Sequence, residues 1–364
     1  MNFLKTSFNK NEPPLPSYST FWKWFSKHEQ RFYAVIKAQG DIENEFFKEL
    51  GGQLDDVRKG FYFLAGMSNT DTAELVFTAD GIIKNIVFVE ELVAAAPALD
   101  NWKITALKQP VPMQKSSIKM NDYQFDDSTM NFYSIDHASM PDEIDLVVTH
   151  QDWTEENKNV ITNGVYLAID TYLGELHSIT TIDNLHIIHP DEATDKLIPL
   201  TKLKNFLIWR EKEFVEKYKG VRQQTENGNY LSAEATLNNG LPLFAIINAD
   251  LLEWEHKASH PWLALIQIHY DGEDNNGLPD DPIFELLNEI EDTILEELKE
   301  VEGYLNVGRQ TADSVREIYL YCVDFRIPSK VLDKISMAYQ ERIEINFELY
   351  KDKYWQTLDR FNPH

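Results

Sequence analysis

The sequence predicts an α+β protein with a ferredoxin-like βαββαβ domain at its C-terminal end and related α/β units in the N-terminal half. Three observations predict it. The last third alternates strand and helix signals in the order strand, helix, strand, strand, helix, strand. Apolar residues recur every two positions in the strand segments and every three to four in the helical ones. The chain has 364 residues, of which 43% are hydrophobic, enough to bury the cores of roughly two to three domains.

Residues 1–17 form a proline-containing leader ("NEPPLPS"), and the N-terminal α/β unit covers 18–128. Ser19 or Thr20 is placed to cap a helix carrying Phe21, Trp22, Trp24, Phe25, Phe32, Tyr33 and Ile36. A second helix, "DIENEFFKELGGQL", meets a stop signal at Gly51-Gly52. "GFYFLAG" and "AELVFTADG" are strands joined by the polar turn "MSNTDT"; "VFVEELVAAAPAL" is a helix and "NWKITALKQP" a strand. The stretch up to 128 reads as a polar connection. A middle ββαβ unit, 129–198, contains "MNFYSIDHA", "EIDLVVTH", a helix ending at Gly174, and "TIDNLHIIHP". An amphipathic helix makes 199–225 a connector.

The C-terminal domain, 226–364, opens with a hairpin turning at Asn239-Gly240. Its first long helix has Asp280 or Asp281 as cap, Pro282 in the first turn, and the stripe Ile283, Leu287, Ile290, Ile294 and Leu298. "GFYFLAGMSNTDTAELVF" and "GYLNVGRQTADSVREIYLY" share a strand, glycine, turn, strand pattern, the mark of a diverged repeat.

Two helices cover one face of a ferredoxin-like sheet. Strand parity gives that face Ile266, Ile268, Leu305, Val307, Ile318, Leu320, Cys322, Ile345, Phe347 and Leu349. The other face is left open and receives Gln267, His269, Tyr304, Asn306, Glu317, Tyr319, Tyr321, Glu344, Asn346, Glu348 and Tyr350. Tyrosines mixed with carboxylates suit a basic protein surface. Nucleic acid is disfavoured, because 60 acidic residues against 34 basic give a net charge of −26. Arg309 and Arg316 flank a turn, placed to hold an anion or to pair with Asp313, Glu317 or the acidic helix. Glu291-Asp292 reads as part of that helix's solvated side. Asp352 and Trp355 follow the last strand, where a tryptophan serves as a packing anchor or a binding platform.

No phosphate-loop, dinucleotide, nucleophile-elbow or H-E-x-x-H motif occurs, and no cofactor is expected. His186 and His189, three apart in a strand, point to opposite faces. The rival to a binding module is an enzyme or metal-dependent binder in which His269, Glu317 and Glu348 converge on a divalent cation. The lone cysteine, Cys322, permits no internal disulfide, and no apolar run approaches the ~18 residues of a membrane helix. No signal peptide is read, and a cytoplasmic location is expected.

Four short motifs, "IED" (290–292), "VGR" (307–309), "REIYLY" (316–321) and "DKYW" (352–355), resemble those of the family called domain of unknown function 695, over roughly residues 245–360. The resemblance implies no established activity. Some relatives are fused to a domain like regulator of ribonuclease E activity B, which implies regulatory binding, although no such domain is identified in this sequence. The expectation is a protein-binding or regulatory module.

Overall fold

Aromatic residues at helical spacing put Phe21, Trp22, Phe25, Phe32 and Ile36 on the buried side of α1 (Tyr18–Ala38). The computed structural model describes residues 18–113, 118–226 and 228–361; the leader expected over 1–17 lies outside them. Two compact units result, Met1–Gln109 and Pro110–His364.

In the first unit a π-helical turn, Glu43–Phe47, leads into α2 (Lys48–Val57). Gly51 and Gly52 do not stop this helix. Each glycine costs about 1 kcal/mol in a helix interior, and burial of Leu50, Leu54 and Val57 on one side of α2 offsets that. Strands β1 (Tyr62–Met67) and β2 (Ala73–Thr78) form an antiparallel hairpin. Helix α3 (Ile83–Ala94) then crosses to β3 (Trp102–Ala106), parallel to β2. Phe25 meets Trp102 edge-on at 5.2 Å between ring centroids, so α1 is seated on this sheet by aromatic contact.

Among the described residues the second unit contains three sheets. Where a polar connection is expected, β4 (Ile118–Met120) pairs with β5 (Tyr123–Phe125), because Phe125, fully buried, needs a cover. Strands β6 (Met130–Ile135) and β7 (Asp145–His150) are followed by α4 (Lys158–Leu173) and α5 (Glu175–Thr181). With β8 (Asn184–Ile188) and β9 (Ile198–Pro199) they form a sheet of order β8-β7-β6-β9, in which β7 and β8 are parallel. All six residues of β7 are buried. Helix α6 (Leu203–Tyr218) follows.

The C-terminal part comprises β10 (Tyr230–Thr236), β11 (Pro242–Asn248), the short α7 (Ala249–Leu252), β12 (Trp262–His269), α8 (Asp281–Glu297), β13 (Tyr304–Ala312), β14 (Val315–Cys322), α9 (Arg326–Tyr339) and β15 (Glu344–Lys351). Its six strands are all antiparallel, in the order β10-β11-β13-β14-β12-β15. Asp280 caps α8, its Oδ1 accepting from Ile283 N at 3.0 Å, with Pro282 in the first turn. The two helices are tied by Glu289 of α8, which pairs with Arg342 just after α9 at 2.9 Å. The pairs β1–β2 and β13–β14 are both antiparallel hairpins, but their surroundings differ. β3 lies directly beside β2, whereas β12 separates β15 from β14.

Lysines anchor the end of β15 to the middle sheet. Lys353 Nζ donates to Asp183 Oδ2 at 2.6 Å and Asp142 O at 2.7 Å, and Lys351 Nζ lies 2.8 Å from Asp183 Oδ1. Burial outweighs the attraction of Asp183 and pushes the Lys351 ammonium down to about 8. Among the described residues no helix is long and apolar enough to cross a membrane.

Candidate functional site

The face of the C-terminal sheet that parity leaves to solvent is a second core. Leu263, Leu305, Val307, Tyr319 and Tyr321 pack there with Leu251 and Leu252 of α7 and with Trp355 and Leu358 beyond β15. The Tyr321 ring stacks on Trp355 at 4.3 Å and 22°, and its hydroxyl donates to Asp352 Oδ2 at 2.7 Å. Asp352 also accepts from the main-chain N–H groups of Gln356 and Thr357. It therefore shapes the turn that folds the chain back over the sheet. Tyr319 is buried against Phe361, and Tyr350 reaches Thr357 Oγ1 at 3.2 Å.

Glu317 is half-buried and saturated. It accepts from Gln267 (3.0 Å), Gln310 (2.9 Å) and the Tyr319 hydroxyl (2.7 Å), with Arg360 beside it at 3.4 Å. His269 stands opposite Val315 and Glu344, Glu317 opposite Gln267, and exposed Glu348 opposite Leu265. Four positions of β12 therefore separate the levels of His269 and Glu348, about 13 Å at strand rise. The expected convergence on a cation does not occur. Among the described residues no group of three or more His, Cys, Asp or Glu is arranged for a metal. His186 and His137 instead flank Asp145, at 3.2 and 2.7 Å, and His189 Nδ1 accepts from Asp191 N.

A β-bulge between Asn306 and Gly308 reverses the parity predicted for β13. Tyr304 and Asn306 stand opposite Cys322 and Leu320 on the helix side, and Leu305 faces Tyr321 on the other. Tyr304 is buried, its hydroxyl donating to Asp324 Oδ2 at 2.9 Å. Gly308 fits because a Cβ there would overlap the Ile246 carbonyl oxygen of neighbouring β11.

After the bulge, Arg309 and Thr311 share the helix side with Arg316. Glu291 of α8 meets them there, inside rather than on the solvated side. Its side chain is only 8% exposed, and its Oε2 lies 2.6 Å from Arg309 Nη1 and 3.8 Å from Arg316 Nη1. Asn306 donates to its Oε1 at 3.1 Å. Arg316, 2% exposed, also donates to Asn288 Oδ1 (2.9 Å) and Thr311 Oγ1 (3.3 Å). Burial and the neighbouring Arg309 cation push its guanidinium down to about 10, with Glu291 acting the other way. Two guanidiniums thus share one carboxylate.

These arginines floor a groove of about 300 Å³ walled by Phe244, Ile246, Leu278, Pro279 and Phe284. Phe244 and Ile246 are each 40% exposed and Phe284 42%. Sequence reasoning missed all three aromatic or aliphatic walls. The run "PLFAIIN" carried a signal, since a continuous apolar stretch marks a strand covered on both faces. Here Ala245 and Ile247 are covered on the far side, whereas on the near side Asn248 is buried and Phe244 and Ile246 are exposed.

Glu291, Arg309 and Arg316 come from "IED", "VGR" and "REIYLY", while Tyr321, Asp352 and Trp355 join "REIYLY" to "DKYW". The four motifs therefore build two clusters, one on each side of the sheet. A family model described as family of unknown function (DUF695) matches residues 234–361. Neither the curated proteins nor the solved structures compared with the chain give a match.

Proposed function

We propose that the protein acts by binding another protein, and that the contact is the groove between β11 and α8. The observation that supports it most is the pair Phe244 and Ile246, large apolar side chains on the solvent side of an antiparallel strand, where polar residues ordinarily stand. Beside them lie two arginines sharing a single carboxylate. The partner surface is then apolar with acidic groups, not the basic surface suited to Glu317 and the tyrosines, which are engaged within the molecule. On this reading the last four strands are a ferredoxin-like unit extended by the β10–β11 hairpin; the order β13-β14-β12-β15 with two helices between strands supports it. A cytoplasmic location accords with the buried free thiol of Cys322.

Panning a random-peptide display library against the intact chain tests the reading. Enriched peptides are expected to lose binding to the double variant Phe244→Ser, Ile246→Ser, whose fold is checked by circular dichroism. Peptides that bind the variant equally well, or no enrichment at all, would refute it.

A further inference from the structure

Building on that protein-binding reading, we infer that the groove belongs to a seat for a third helix on the C-terminal sheet, an amphipathic helix supplied by the partner with carboxylates facing Arg309 and Arg316. Strands lie about 4.8 Å apart and a helix is about 10 Å across, so one helix covers about two strands. Helix α8 lies over β13 and β14, since Glu291 reaches Asn306 and Arg309 on one and Arg316 on the other. Helix α9 lies over β15, Ser336 Oγ donating to Ile345 O at 2.7 Å. Six strands offer three helix positions, and the described residues fill two. The third, over β10 and β11, is left uncovered by the described residues along its middle, where Tyr230, Phe244 and Ile246 are 53%, 40% and 40% exposed, although Asn248 at its end is buried. They share a face by the strand register, which sets Ile246 opposite Arg309 and Phe244 opposite Thr311.

An extended segment added to the free edge of β10 would satisfy main-chain groups and leave these side chains in water, whereas a helix laid across both strands covers them. The charge argues for its polar flank. Arg309 and Arg316 stand where the seat meets α8, the Arg316 guanidinium 5.3 Å from the Phe284 ring centre. Among the described residues only Glu291 is within ion-pair distance of both. A carboxylate on the incoming helix meets that surplus positive charge. The net charge of −26 opposes an acidic partner at long range, but physiological salt screens charges beyond about 8 Å, leaving the local pair to decide.

The test displays two libraries on a fixed scaffold. One holds amphipathic helices of ~18 residues randomised on the apolar face and its flanks; the other has the same composition with a central proline. The helical library is expected to enrich clones bearing Asp or Glu at one flank. Their affinity should fall ~10-fold or more on the Phe244→Ser, Ile246→Ser double variant and on Arg309→Gln. The inference is overturned if enriched helices carry Lys or Arg at that flank, or keep their affinity on Arg309→Gln. Should only proline clones enrich and still depend on Phe244 and Ile246, the seat takes an extended segment; the helix inference then fails while the protein-binding reading stands. If no clone from either library depends on Phe244 and Ile246, both fail.

Discussion

Trp355 lies flat on Tyr321, ring centroids 4.3 Å apart and planes 22° from parallel. It does so from a left-handed backbone, φ +60°, which costs a bulky residue roughly 1–2 kcal/mol. Burial of the indole offsets that cost: the ring is 1% exposed and its Nε1 donates to His260 O at 3.1 Å. The tryptophan is the lid of the second core, so a surface tyrosine in the sequence becomes an interior one in the fold.

Trp355→Ala should therefore destabilise by about 3–5 kcal/mol, read as a lowered midpoint in urea denaturation. The Tyr321 ring becomes exposed in the variant, so its near-ultraviolet signal should change as well. A loss below about 1 kcal/mol would mean that the turn holds without its anchor.

Removing the charge of Glu291 should cost more than an ordinary polar change. Glu291→Gln leaves Arg316 buried beside Arg309 with no counter-ion, and breaking a buried pair in this way costs about 3–5 kcal/mol. The combination Glu291→Leu, Arg316→Met should recover most of it, because the fully buried guanidinium is removed with its counter-ion, while Arg309, 27% exposed, keeps access to water. Thermal or urea denaturation of both variants distinguishes this from a surface ion pair, for which the first change would cost under about 1 kcal/mol.

The legibility of this fold varies with how simply each strand is covered. Strand β12 alternates as parity predicts, Ile266 and Ile268 fully buried and Gln267 and His269 half-exposed. In β13 the bulge at Val307 inverts the pattern, and no residue type announces it, since Gly308 is explained only by the approach of Ile246. Tyrosines 319 and 321 read as exposed because parity puts them on the face that the two long helices leave open; α7 and the turn after β15 cover that face, and Glu317 and Asp352 satisfy the hydroxyls inside. Glu291 reads as solvated because acids surround it in sequence, and only the position of α8 over β13 turns it inward. The groove stayed hidden because Phe244 and Ile246 look like core in a strand that is covered on one side alone.

Gly164 invites the wrong engineering choice. Glycine within a helix ordinarily loses to alanine by about 1 kcal/mol, so Gly164→Ala in α4 would be chosen to stabilise. A Cβ at this position would overlap the ring of Phe125, which is fully buried. The substitution should instead destabilise by about 1–3 kcal/mol, and pairing it with Phe125→Leu should reduce the loss. Thermal denaturation of the single and double variants gives the sign.

His260 should make the protein sensitive to mild acid. Its ring is fully buried, with Nδ1 2.8 Å from Ser259 Oγ, the Trp254 ring 5.4 Å away, and Nε2 without a hydrogen-bond partner among the described residues. Burial, and secondarily the Arg222 cation, push the imidazolium down to about 4 from an ordinary 6.5. Between those values the unfolded chain binds the proton and the folded chain does not, so stability rises with pH across that window. His260 thus contributes fully above pH 6.5, and the contribution is lost as pH falls towards 4, about 3 kcal/mol in all. Carboxylates titrate in the same range, so the comparison must be with His260→Gln, in which the steepness of stability against pH between 6.5 and 4 should decrease. Equal slopes in urea denaturation series of the two proteins would show that His260 takes up its proton in the folded state.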